Sequence, residues 1–185
     1  MNKTRLMVRL ALLSAIGVLL FYVVSFPLPF FPEFLTYDAG DIPALVAAFA
    51  FGPVAGVIVQ FLKALIGFLI GGSKAGWIGA LANFLAGGTM AFVAGIIYAQ
   101  KKTRIMATLS LLIGSTVTAI VMGVVNYYWL LPLWGIPSNQ VLPMLMAAII
   151  PFNFTKFMLS SIGTFFLYKK VKNFLEVEDY KEVSE

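Results

Sequence analysis

The sequence predicts an all-α integral membrane protein of six transmembrane helices, with both termini on the cytoplasmic side. Three observations carry that reading. Of the 185 residues, 61% are hydrophobic and 11% charged, where a soluble domain has about 45–50% and about 25%. The apolar residues fall in runs long enough to cross the bilayer hydrocarbon, which takes about 20 residues of helix. The basic residues gather at the ends of those runs: Lys3, Arg5 and Arg9, then Lys101, Lys102 and Arg104, then Lys169, Lys170 and Lys172. Lys and Arg collect on cytoplasmic flanks, so the three clusters mark one side of the membrane. The net charge of +5 therefore belongs to topology rather than to nucleic-acid binding.

The first helix is expected over Leu6–Phe26 and is stopped by Pro27, Pro29 and Pro32. The loop from Pro27 to Asp41 holds Glu33, Asp38 and Asp41 but no Lys or Arg, which puts it outside. An odd number of crossings must then lead to the basic loop at Lys101. Only two apolar blocks lie between, Ile42–Ile70 and Trp77–Tyr98. Gly52-Pro53 divides the first, because proline has no N–H to give and pushes its predecessor out of the helical region. The resulting pieces are 42–51 and 54–70. Ten residues reach only about half way across the hydrocarbon, so the short piece has to be packed inside protein or dip beside the loop. The glycine-rich turn at 71–76 falls outside. Further helices follow over 77–98, 105–128 and 141–168, the last two joined by an outer loop from Trp129 to Gln140. Residues 1–175 thus read as a single six-helix domain, and 176–185 as an acidic cytoplasmic tail that frays. No internal repeat is present.

The chain has no cysteine and no histidine. Thiol nucleophiles, disulfides and most metal sites are thereby removed. There is no phosphate-binding G-x-x-x-x-G-K-[ST] and no G-x-S-x-G, and no base stands ready to activate a serine. The expectation is a protein that is not an enzyme, with no catalytic residue, no metal and no cofactor. No Asp or Glu lies inside an expected span, which argues against a carrier coupled to an ion gradient.

Polar residues within the apolar runs are few. Gln60 and Lys63 share a helix face, as do Asn153 and Lys156 just after Pro151. Asn83 and Asn126 stand singly. An ionisable group at membrane depth is costly and marks function by default. An Asn side chain offers one carbonyl and two N–H donors, the complement of an imide-like edge with N–H beside C=O. These groups are expected to converge on a pocket for a small polar ring, open to the outside. For Asn83 and Gln60, bonding between helices is an equal alternative. Tyr37, Trp77, Tyr127, Tyr128, Trp129, Phe152 and Phe154 read as stacking walls, or else as core and interface anchors. Asp38 and Asp41 suggest an acid pair or a cation site. Asp41, followed by Ile42 and Pro43, also reads as a helix N-cap. Lys74 in the outer turn reads as a phosphate contact or a solvated side chain. Ala11 and Ala15 form a small-xxx-small face on which another helix, internal or foreign, can pack closely.

Several of these runs together resemble a known family. F-P-x-F-L-x-x-D-x-x-D-I-P-A-L from Phe31 to Leu45, G-P-x-x-G from Gly52, Leu62-Lys63, Asn126 before a Trp/Pro-rich loop, and P-F-N-x-x-K from Pro151 to Lys156 are similar to the riboflavin-specific S components of energy-coupling factor (ECF) transporters. Ala11-xxx-Ala15 resembles the motif by which S components dock on their membrane partner. The resemblance covers the chain from the first helix to the last. It implies a high-affinity riboflavin-binding subunit of a vitamin importer in the cell membrane, and leaves open whether FMN is also a ligand. The vitamin would be captured from outside and delivered by an ATP-driven complex. The implied partners are a transmembrane coupling subunit and two ATPase subunits, which use the ATP; riboflavin is cargo rather than cofactor. Carried over, Asn126, Asn153 and Lys156 hold the isoalloxazine ring, and the loop before Asp41 closes over it. Asp41, Lys63, Asn83 and Tyr37 complete the expected site, and Ala11 and Ala15 the docking face. One departure is Ala64, where the family often carries Asn after the lysine.

Overall fold

The computed structural model describes residues 2–71 and 75–182, with side chains described as far as Tyr168. Lys74 lies outside the described residues. Helix α1 covers Lys3–Val23 and leads into a short antiparallel ribbon, β1 (Ser25–Pro27) paired with β2 (Thr36–Asp38). Helix α2 is Asp41–Phe51, α3 Pro53–Leu69 and α4 Gly76–Gln100. Helix α5 runs over Arg104–Leu133 and includes a π-helical turn at Asn126–Leu130. Helix α6 comprises Ser138–Met144, a second π-helical turn at Leu145–Ile149, and Ile150–Glu182.

Helices α1, α4 and α5, and α6 as far as Tyr168, are each long and apolar enough to cross a membrane. Helices α2 and α3 are apolar but shorter. Gly52 separates them at φ 101, a left-handed conformation that suits glycine, and Pro53 opens α3 where its missing N–H is harmless. Helix α2 solves the problem of its length by burial: Ala44, Leu45, Val46 and Ala47 are almost fully enclosed. It packs against α1, α3, α4 and α6. A Cβ on Gly56 would stand 2.6 Å from the Ala48 methyl and 2.8 Å from the Ala44 carbonyl oxygen, so glycine there lets α3 approach α2 closely.

Three sequence expectations are corrected. The first helix ends at Val23 rather than Phe26, because Ser25–Pro27 pair with Thr36–Asp38 as the β1–β2 ribbon. The region from Trp129 does not leave the helix. Each π-helical turn ends two residues before a proline, Pro132 or Pro151. A wider turn absorbs the missing N–H and the ring clash that would break an α-helix, so the connection between α5 and α6 shrinks to residues 134–137. Helix α6 also continues to Glu182, beyond the point where the tail was expected to fray; the side chains of that tail lie outside the described ones.

The main core includes Met90, Ala94, Tyr98, Leu111 and Phe157, with Phe49 stacked on Tyr98 at 4.3 Å between ring centroids. It fills the bundle towards the Lys101–Arg104 end. The opposite end, beneath the ribbon, is where a cavity opens.

Candidate functional site

The cavity lies between α3, α4, α5 and α6 and is bordered by Phe34, Leu35 and Thr36 of the segment leading into β2. About 840 Å³ of empty space lies within it, counting the part open to solvent. Its polar wall is Asn83, Asn126, Asn153 and Lys156. Its apolar wall includes Phe68, Met122, Trp134 and Phe152.

Asn126 and Asn153 are held alike. Each donates one Nδ2 hydrogen bond to the carbonyl four residues earlier, Met122 at 2.8 Å and Ile149 at 2.9 Å. Asn126 begins the first π-helical turn, and the carbonyl of Ile149 ends the second. Among the described residues, the second N–H and the carbonyl oxygen of each amide have no protein partner. Two fixed amides thus each present a donor and an acceptor to one cavity.

Behind this wall stands a buried quartet of charges. Lys63 Nζ donates to Asp38 Oδ1 at 2.9 Å and to Asp41 Oδ1 at 2.6 Å. Lys156 Nζ donates to Asp38 Oδ2 at 2.9 Å and lies 3.1 Å from Asp41 Oδ2 as an ion pair without hydrogen-bond alignment. All four side chains are at most 4% exposed. Amides extend the cluster: Asn83 Nδ2 donates to Asp38 Oδ2 at 3.0 Å, and Gln60 Nε2 donates to Asp41 Oδ1 at 3.0 Å and to Asn83 Oδ1 at 3.0 Å. Burial alone would raise the Asp38 carboxyl. The ammonium groups of Lys156 and Lys63 outweigh that and hold it well below the usual carboxylate range.

The cluster forms because glycine lets the backbone close in. A Cβ on Gly40 would meet the Gly17 carbonyl oxygen at 2.5 Å, Lys63 Cδ at 2.9 Å and Asp38 Oδ1 at 3.0 Å. On α3, Gln60, Lys63 and Gly67 follow one another at helical spacing on the buried face, which aims Lys63 inward and seats its ammonium 5.5 Å from the Phe21 ring centroid.

Of the residues singled out in the sequence, Asn83, Asn126, Asn153, Lys156 and Phe152 lie on the cavity wall. Lys63 and Asp41 lie behind it. Asp41 is not the helix cap that its sequence context suggested: Gly40 occupies that position and no side-chain cap bond is made. The Asp41 carboxylate turns inward instead, because a buried ammonium is a stronger partner than a backbone N–H. Tyr37 packs with Phe26 at 5.4 Å and belongs to a small core that includes the wall residue Phe152; it does not itself line the cavity, and burial pushes its phenol up. Trp77, Tyr127, Tyr128, Trp129 and Phe154 are exposed on the bundle's surface. Ala11 and Ala15 are exposed on α1, flanked by exposed Val8, Leu12 and Ile16. Sequence reasoning missed Trp134 as cavity wall, and expected the loop before Asp41 at the site without naming Phe34, Leu35 and Thr36 in it. Their signal was position: an aromatic and a loop flanking the polar residues of α5 and α6.

Known proteins share this architecture. The family model described as "ECF transporter, substrate-specific component" matches residues 5–168. The riboflavin transporter RibU of Staphylococcus aureus is 37% identical over 182 residues, covering 95% of each chain. The riboflavin transporter FmnP of Bacillus subtilis is 29% identical over 94% of this chain and 95% of its own. A solved structure described as the S component of a bacterial ECF transporter superposes with a TM-score of 0.82 at 38% identity, covering 94% of this chain and 99% of the other.

Proposed function

Because this chain belongs to the family of substrate-specific components of ECF transporters, we propose that it is the subunit that captures riboflavin for an importer of this kind. It is a transport component and not an enzyme. The observation that carries the ligand is the pair of fixed amides, Asn126 and Asn153, facing one cavity beside Lys156. The pyrimidine edge of an isoalloxazine ring alternates C=O and N–H groups. A carboxamide complements that pattern with one acceptor and one donor, and an ammonium serves a ring carbonyl. Trp134, Phe152 and Phe68 supply the apolar faces that a flat tricyclic ring requires. The relatives named riboflavin transporters support the same ligand.

In this reading the protein spans the cell membrane with six helices, α2 being an enclosed half-length one. Both termini are cytoplasmic, as the basic flanks require, and the cavity opens outside, beneath the ribbon. Asn126, Asn153, Lys156 and Asn83 contact the ring. Asp41 and Lys63 support the wall, and the segment from Phe34 into β2 covers it. Tyr37 anchors that segment in its small core. The exposed Ala11–Ala15 face of α1 receives the transmembrane coupling subunit, since small side chains let helices approach closely within lipid. Two ATPase subunits supply the energy, and no resident cofactor is needed.

The test is optical. Detergent-purified protein is expected to carry a flavin absorption band, or to quench riboflavin fluorescence stoichiometrically on titration. Colourless protein that leaves riboflavin fluorescence unchanged overturns the flavin reading. Parallel titration with FMN measures whether a phosphate is tolerated.

A further inference from the structure

Lys156 lies on the cavity wall, yet its ammonium is bound from behind. Asp38 takes one N–H at 2.9 Å, and Asp41 stands at 3.1 Å. Asp38 is fully enclosed, and both of its oxygens are in use: Oδ1 receives Lys63, while Oδ2 receives Lys156 and Asn83. One carboxylate therefore ties together β2, which carries it, α3 through Lys63, α4 through Asn83 and α6 through Lys156. Two of these partners, Asn83 and Lys156, are themselves wall residues. Asp38 is not among the residues lining the cavity.

We propose that Asp38 is the positioning residue of the ligand site: its Oδ2 seats the Lys156 ammonium and the Asn83 amide together, so that Lys156 meets the ligand as an oriented hydrogen-bond donor rather than as a free cation. An ammonium has three N–H groups. Asp38 takes one of them from behind and Asp41 holds the charge close without taking another, so the remaining N–H groups are left for the cavity side. The two carboxylates also cancel its charge, which suits the neutral carbonyl of a ring edge better than an anion. The segment covering the cavity carries Asp38 at its end, so the seating of Lys156 and the placement of that cover depend on the same carboxylate. This inference rests on the flavin reading above.

A double-mutant cycle tests it. Riboflavin quenching is titrated for the parent, Asp38→Asn, Lys156→Met and the double variant. Each single change is expected to weaken binding by about tenfold or more. A positioning role makes the two effects overlap, so the loss in the double variant falls well short of the product of the two single losses, the remainder being the share of Asn83. Losses that multiply, to about a hundredfold or more, overturn the proposal, because independent sites add in free energy. Asp38→Asn combined with Lys63→Met addresses folding, since it removes one charge of each sign. Its thermal midpoint is expected to recover towards that of the parent while its affinity stays reduced; recovery of the parental affinity would show charge balance alone at work and also overturn the proposal. A parent that does not quench riboflavin defeats the flavin reading itself, and this inference with it. A parent that binds, with independent losses, defeats only the role of Asp38.

Discussion

Asp38 and Lys156 stand 118 positions apart in the chain and meet at 2.9 Å in the interior. That contact ties the covering ribbon to the last helix, next to a cavity walled by amides. The arrangement has consequences for affinity, stability, pH response and assembly.

The wall amides should matter separately. Asn126 is on α5 and Asn153 on α6, each fixed by its own backbone bond. Replacing either by Ala leaves a ligand donor or acceptor unpaired, at about 1–3 kcal/mol, or about tenfold or more in Kd. Riboflavin titration measures both. Parental affinity in the two variants would remove them from the ligand site.

Lys63 should be a matter of stability first. Lys63→Met leaves Asp38 and Asp41 sharing one ammonium in an enclosed space. Breaking a buried ion pair from one side costs about 3–5 kcal/mol, so the thermal midpoint in detergent is expected to fall by many degrees. An unchanged midpoint would mean that Lys63 contributes nothing to holding the quartet.

Gly40→Ala is a steric test of the same cluster. The new methyl would overlap the Gly17 carbonyl, which is backbone and cannot swing aside, and would press on Lys63 Cδ. Both α1 and the start of α2 must shift. Lower thermal stability and weaker riboflavin binding are expected together, whereas Gly52→Ala, with open space around it but φ at 101, should lower stability alone.

The response to acid follows from Asp38. Its folded carboxyl lies below the ordinary range of about 4, so its stabilisation is complete above that value and is lost as pH falls through the depressed folded one. The thermal midpoint should be level from about pH 5 upward, as far as this group is concerned, and decline below about 4. Asp38→Asn is expected to flatten that acid limb. An equally steep limb in the variant would assign it to other carboxylates.

Docking can be separated from capture. Ala11→Trp adds bulk to an exposed face remote from the cavity. Purified Ala11→Trp is expected to bind riboflavin as the parent does, while uptake by cells supplying the other subunits is lost. Normal uptake would place the coupling contact elsewhere on the bundle.

Much of the fold was legible in the chain because lipid imposes a simple rule: backbone groups must be paired within each segment. Hydropathy and Pro53 then located the apolar helices, four of them long enough to cross a membrane and two shorter. The exception lay at Pro132, where a π-helical turn carries a helix past a residue that normally ends one. Asn83, Asn126, Asn153 and Lys156 were conspicuous as polar groups in apolar runs. Their common cavity could be anticipated from periodicity and topology. The seating of Lys156 could not, because nothing local records a contact across 118 positions. Asp41 was misread for a related reason: its neighbours describe a helix start, while its partners Lys63 and Gln60 come from a different helix.

The quartet of Lys63, Lys156, Asp38 and Asp41 sums to zero, and riboflavin is itself uncharged. Any change in the height of the loaded site within the bilayer therefore carries no net charge through the transmembrane field. That field does work of about 2.3 kcal/mol per elementary charge per 100 mV, and here it has nothing to act on. On the proposed reading, voltage neither drives nor resists the passage of this cargo.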